Sequence, residues 1–309
     1  MEKVAVVVVP HEDDMEILGF HAVHWLIQQN YKIIEIVMTD GRFGLEMGSD
    51  GKPLKPEFGG QRLKKIRRRE MLCAAKNYGR KETGENYVDV VFMDYVDGFL
   101  PLNHKSIERL KQIILKYKPQ VTIGMDPFYP IDSHHDHLNT GRNYYFALKS
   151  ITPSERPEQM YYIQSYKNDV SIPMGSFDLQ KKVLRCHQSQ LSPLKIKYMG
   201  LMKYIYIIRS LFHPEHKIKA MRRVTFNLEE NTIETIGEKI MFSIAFNLVK
   251  TSYNEYENLY KPLPKIGKDV DEIKPEDFDN VSSETLAEFY FGKQYKNQKL
   301  KIFEKKNIL

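Results

Sequence analysis

The chain has 309 residues, of which 42% are hydrophobic and 28% charged; this balance excludes a disordered or fibrous polypeptide and suits one large globular domain or two. No run approaches the roughly 18–20 apolar residues of a membrane span, and the apolar start Val4–Val9 passes straight into His11-Glu12-Asp13-Asp14 without a small-residue cleavage site, so it predicts a buried strand and not a leader. The net charge of +6 suits anionic partners, but nucleic-acid binding would need a patch and a motif as well, and two cysteines, Cys73 and Cys186, are too few for a disulfide scaffold and fit a reducing cytoplasm.

Short β-rich runs alternate with longer helical stretches through the first half. Val4–Val9 predicts a strand and Ile17–Gln29 a helix. Lys32–Met38 is a second strand, Gln61–Tyr78 a second, highly charged helix, and Tyr87–Met93 a third strand. Ser106–Lys118 places Ile107, Leu110, Ile114 and Leu115 at helical spacing, and Gln120–Met125 is a fourth strand. The alternation predicts an α/β fold: a Rossmann-like, mostly parallel sheet with helices on both faces, right-handed crossovers and a C-terminal elaboration. Two loops stand out: Asp40–Gly60, rich in Gly, Pro and Lys, and Asp126–Ser133, with Pro127 and Pro130. Both leave carboxyl ends of strands, the edge where open α/β sheets bind ligands. Beyond about residue 150 the alternation weakens. Gln159–Gln164 predicts a fifth strand, Phe177–Gln190 and Ser192–Phe212 helices, Pro262–Asp279 a charged surface loop, and Phe289–Lys305 a basic, aromatic terminal helix.

Two strings carry chemistry. Pro10-His11-Glu12-Asp13-Asp14-Met15-Glu16 leaves the first strand. Imidazole and carboxylates at a strand end suit a catalytic metal, and neighbours in an extended loop point different ways. His11 and Asp14 can therefore hold one ion while Asp13 stays free for proton transfer. The same acidic run would also serve a helix N-terminus. Ser133-His134-His135-Asp136-His137 leaves the fourth strand. Three histidines around a carboxylate are hard to explain by packing, though a surface cluster has the same composition. In a doubly wound sheet the first and fourth strands are neighbours at the switch point, so both strings open into one crevice. That convergence favours a metal site over two separate accidents.

In this order the residues resemble the PIG-L/LmbE (GlcNAc-PI de-N-acetylase-like) family of metal-dependent N-deacetylases, whose members remove acetyl from N-acetylglucosamine groups in small glycoconjugates. Met38-Thr39-Asp40-Gly41, Arg67-Arg68-Arg69-Glu70 with Ala74, Ala75 and Gly79, Asp97-Gly98, and His187-Gln188-Ser189-Gln190 resemble further family elements, in order from residue 4 to about 190. The resemblance implies that His11, Asp14 and His137 hold one Zn2+ and leave a position for water. It makes Asp13 the general base that later protonates the leaving amine. It makes His134, as a cation, the group that stabilises the oxyanion, with Asp136 orienting it. Arg67 and Asp97 fall at positions associated with the sugar, and Tyr129 supplies an aromatic contact from the second loop. The same donors also accept Fe2+, Mn2+ or Co2+. Glu12 and His135 stand where the family usually has proline, and the glycine pair after the first string is reduced to Gly19.

The implied activity is zinc-dependent hydrolysis of the N-acetyl amide of a small-molecule amino sugar in the cytoplasm, with no nucleic-acid partner. A glycolipid or nucleotide-linked sugar, a low-molecular-weight thiol precursor and an acetylated aminoglycoside or antibiotic intermediate are all open as substrate. A metal-dependent hydrolase of a non-sugar amide, and a catalytically silent metal- or carbohydrate-binding protein, are the competing readings. Residues 1–190 are the expected catalytic core. Residues 191–309 are a mainly helical extension that shapes the pocket or makes a homo-oligomer contact. Other signals read as structure: His21 and His24 as packed or exposed imidazoles, His213-Pro214-Glu215-His216 as a turn into a helix, Lys64, Lys65, Arg68 and Arg69 as a solvated face, Met199–Phe212 as a packing helix, and Cys186 as a packed thiol. No dinucleotide, P-loop, nucleophile-elbow or His-Glu-x-x-His string is present.

Overall fold

A computed structural model of the chain describes residues 2–44, 60–131, 134–193, 196–197 and 217–226. Most of the expected 40–60 loop and of the helix after Ser192, the turn at 213–216, the 262–279 loop and the terminal helix lie outside these residues. Strand β1 (Val4–Val9) is nearly pure valine and is buried along all but its first residue. Its side chains alternate: Ala5, Val7 and Val9 enter one apolar cluster, Val6 and Val8 another. A strand that is apolar on both sides needs cover on both sides. β2 (Lys32–Thr39), β3 (Val88–Tyr95), β4 (Val121–Met125) and β5 (Gln159–Ile163) join it as five parallel strands in the order β3-β2-β1-β4-β5.

Helices α1 (Phe20–Gln28) and α2 (Gln61–Asn77) cover the first face through Phe20, Val23, Leu26, Met71 and Ala74. α3 (His104–Tyr117) and α4 (His135–Ser150) cover the second through Leu110, Ile114, Tyr144 and Leu148. Each such aliphatic or aromatic side chain contributes about 1.5–3 kcal/mol on burial, so the two covered faces are the rigid base of the molecule. β1 pairs with β2 on one side and β4 on the other. The chain therefore reverses its direction of growth at β1/β4, which is the expected switch point. No helix among the described residues is long and apolar enough to cross a membrane.

The structure departs from the sequence reading in five places. The first helical stretch opens with a π-helical turn, Met15–Gly19, before α1 begins. α4 was not foreseen: it is buried nearly all round, polar Asn139, Thr140 and Asn143 included, so it has no clean apolar stripe. The expected helix over 177–190 ends early, as α5 (Phe177–Leu184), and frees His187, Ser189 and Gln190 into a turn. Two strands were missed, β6 (Val170–Pro173) and β7 (Lys217–Arg223), which pair antiparallel; β7 inserts between β5 and β6. β7 comes from the far side of the expected 190/191 boundary, so the sheet draws on both proposed regions; residues 193, 196 and 197, at the start of the expected helix, are helical. Cys186 is not a packed thiol either. It is disulfide-bonded to Cys73, joining α2 to the turn after α5, which removes the cysteine argument for a reducing compartment.

Candidate metal centre at the switch point

The carboxyl ends of β1 and β4 bring both strings together. The Thr39 N–H and hydroxyl at the end of β2 donate to the Pro10 carbonyl at 2.9 and 2.8 Å, fixing the backbone where the first string leaves β1. The second string enters α4 directly: His134 is its N-cap residue and Asp136 lies in its first turn. Gly141 lets that helix approach the end of β4, since a Cβ there would lie 2.8 Å from the Met125 carbonyl oxygen.

His11 is the centre of the cluster. On one side its Nδ1 lies 3.0 Å from Asp14 Oδ2, and His137 Nε2 lies 3.4 Å from the same oxygen. On the other side its Nε2 lies 3.1 Å from Asp136 Oδ2 and 3.2 Å from Asp97 Oδ1. Asp136 is anchored by the backbone N–H groups of Gly98 (2.6 Å) and Leu100 (3.1 Å), and Asp97 Oδ2 by that of Phe43 (2.9 Å). His137 Nδ1 lies 3.2 Å from Gln164 Oε1, which fixes its ring and turns Nε2 toward Asp14.

Among the described residues, two sets bring donor atoms within 4.8 Å of one another: His11, Asp14 and His137, and His11, His134 and Asp136. The first fits a metal ion better. Its two imidazoles and carboxylate are the ligand chemistry of a catalytic divalent-metal site. With Asp136 and Asp97 occupying His11 Nε2, Nδ1 is left to the ion, and a carboxylate on the far nitrogen is the usual support of a ligating imidazole. Burial opposes charge on His11, yet Asp136, Asp14 and Asp97 outweigh it and raise its pKa well above the ordinary value. Burial would likewise raise Asp14, but His137 and His11 hold it well below the carboxylate range. The cluster is thus built to stabilise a cation.

His134 departs from expectation. Burial, reinforced by the charges of His11 and His137, lowers its pKa to about 4, so in this setting it is neutral and not the expected cation. Its Nδ1 accepts the Asp136 backbone N–H at 3.2 Å, which leaves the proton of the neutral ring on Nε2. The Asp136 carboxylate, expected on His134, contacts His11 instead; its backbone is what orients the His134 ring.

The three residues expected on the sugar are each committed to protein. Arg67, 3% exposed, pairs with Asp13 Oδ1 through Nη2 at 2.7 Å and with Glu12 Oε2 through Nε at 3.0 Å. Asp97 joins His11 to the Phe43 backbone. Tyr129 is fully buried, packed edge-on to Tyr166 and against the guanidinium of Arg222, which itself pairs with Asp126. A buried ring offers no face to a substrate, so packing replaces the expected contact of Tyr129. Of the four aspartates at the centre, Asp13 has the most exposed side chain, 14% against 9% for Asp14, 8% for Asp97 and none for Asp136.

Sequence reasoning missed Gln164 and the partners of the late His-x-Ser-Gln element. Gln164 directly follows β5, beside the crevice, in a left-handed conformation (φ 56°), and an amide at that strand end was the available signal. His187 Nε2 lies 3.2 Å from Glu16 Oε2, and the Ser189 N–H and hydroxyl donate to Glu70 at 2.7 and 2.6 Å. These contacts tie the turn after α5 to the helices that carry the site.

The fold is shared with known proteins. Residues 6–148 match the family model described as PIG-L: GlcNAc-PI de-N-acetylase. A diacetylchitobiose deacetylase from Thermococcus kodakarensis is 24% identical over 132 residues, 43% of this chain and 44% of the relative, so the match spans less than half of that curated protein. Among solved structures, the N,N'-diacetylchitobiose deacetylase of Pyrococcus horikoshii superposes with a TM-score of 0.58 at 21% identity, over 72% of this chain and 84% of the other. The 4-carboxy-2-hydroxymuconate hydratase of Pseudomonas putida KT2440 gives 0.55 at 16% identity, over 76% and 99%. Two different reactions on one fold mean that the chemistry has to be argued from the site.

Proposed function

We propose that the chain, whose residues 6–148 match the PIG-L: GlcNAc-PI de-N-acetylase family model, is a zinc-dependent hydrolase that removes the acetyl group from an N-acetylglucosamine-type amino sugar. The observation that carries this reading is the convergence of His11 and His137 on one carboxylate oxygen of Asp14, with the more open carboxylate of Asp13 next in sequence. A zinc-type ion held by those three residues would supply an acidified water and polarise the acetyl carbonyl.

The remaining work falls to the chain. Asp13 takes a proton from the attacking water and returns it to the leaving nitrogen, so that amide and water become acetate and amine. Arg67 holds Asp13 Oδ1 at 2.7 Å and leaves Oδ2 for the proton. His134 donates its Nε2 proton to the oxygen that gains charge in the transition state; a neutral donor fixed in advance serves there as well as a cation. Asp136 and Asp97 keep the His11 ring in place. Arg67, Asp97 and Tyr129 leave sugar recognition to other groups.

The test is a substrate panel: the metal-loaded protein with N-acetylglucosamine linked to a second sugar, to inositol and to an aromatic aglycone, beside an N-acetyl amino acid amide. Equimolar acetate and free amine from a sugar member supports the reading. Turnover of the amino acid amide alone would favour the non-sugar amidohydrolase.

A further inference from the structure

We infer that Glu12 is a positioning residue for proton transfer: it anchors Arg67 and, through Arg67, fixes the direction of the Asp13 carboxylate. The inference rests on the assignment of Asp13 as the base. Glu12 is 1% exposed, although it lies beside Asp13 and Asp14 and close to Asp97. A carboxylate buried among like charges needs a strong compensating partner, and that partner is the Arg67 guanidinium. Nε and Nη2 lie on one edge of this planar group; Nε meets Glu12 Oε2 at 3.0 Å and Nη2 meets Asp13 Oδ1 at 2.7 Å. The Nε contact is an ion pair without hydrogen-bond alignment, so Glu12 holds the guanidinium by charge, and the rigidity of the group carries that hold to Nη2.

Two further observations fit a built contact. Among the described residues the Asp13 carboxylate accepts one hydrogen bond, the one from Arg67. Its orientation therefore depends on how firmly that guanidinium is held. The facing backbone is shaped for Glu12: Gly41 has φ +60°, and a Cβ there would collide with the Glu12 carboxylate. The Gly41 carbonyl also accepts from Arg67 Nη1 at 3.4 Å. Glycine thus supplies both the conformation and the space that the Glu12–Arg67 pair requires.

The test is a cycle of Glu12→Gln, Arg67→Met and the double variant, with kcat, KM and bound zinc measured for each. Misdirecting a catalytic group costs up to about 10²-fold, so Glu12→Gln should lower kcat by about 10- to 10²-fold, with KM within about 2-fold and zinc content like that of the unmodified protein. Arg67→Met should lose at least as much. The double variant should match Arg67→Met within about 2-fold, because Glu12 then has nothing to act through. The double variant buries neither charge of the pair, so this comparison holds even if Glu12→Gln alone folds poorly. Unchanged kcat in Glu12→Gln, losses that multiply in the double variant, or a loss confined to KM or zinc content would overturn the inference. Asp13→Asn in the same assay separates the two claims. Full turnover there sinks the base assignment. Lost turnover there, beside unchanged kcat in Glu12→Gln, sinks only the role of Glu12.

Discussion

The two sides of the His11 ring carry the same residue type for different purposes. Asp14, on the Nδ1 side, receives one backbone N–H and two imidazoles on a single oxygen. Asp136 and Asp97, on the Nε2 side, are tied to the backbone N–H groups of Gly98, Leu100 and Phe43. Asp14 gathers two imidazoles on one oxygen and is placed to share an ion with both, whereas the carboxylates of Asp136 and Asp97 each meet His11 and support its ring from behind. Asp13 belongs to neither side: it is held by a guanidinium at one oxygen and is the most open of the four. The surroundings, more than the residue type, assign the role.

The largest effect that would sharpen this comparison is expected on the Nδ1 side. His11→Ala should abolish both metal binding and activity, measured by metal analysis and acetate release on one preparation; retained metal would move the site to other donors. Asp13→Asn should come next, keeping its metal while turnover falls about 10²–10⁴-fold, the usual weight of a general base. On the Nε2 side Asp136→Asn should weaken metal affinity about 10–100-fold. It should also cost about 1–3 kcal/mol of stability, read by denaturant unfolding, because the Gly98 and Leu100 N–H groups lose a charged acceptor. Complete loss of metal there would instead make Asp136 a ligand. The smallest effect is expected at Tyr129→Phe. Its hydroxyl is 3.5 Å from Lys167 Nζ and its ring is buried, so kcat/KM should stay within about 2-fold of the parent. A tenfold loss would return Tyr129 to the substrate.

The parts of this molecule legible in its sequence are those with a short-range signature. β1 announces itself as a valine run, α3 by its apolar spacing, and the site by two His/Asp strings at strand ends. The parts that stayed hidden depend on long-range packing. α4 mixes buried Asn, Thr and Tyr on every side, and β7 alternates apolar residues with Lys and Arg. Roles were harder to read than positions. Arg67, Asp97 and Tyr129 were visible as candidates, but their partners Glu12, Phe43 and Arg222 lie 54 residues or more away. The charge state of His134 follows from burial beside two other imidazoles, a property of the assembled cluster and not of the string.

The measurement that tests the account most directly is acetate release from an N-acetylglucosaminide before chelation, after chelation and after zinc is restored. The account predicts acetate and amine in equal amounts, loss of turnover with the metal, and recovery on its return. Turnover that persists in metal-free protein, or a zinc-loaded protein that releases acetate from no N-acetyl amino sugar, would contradict it.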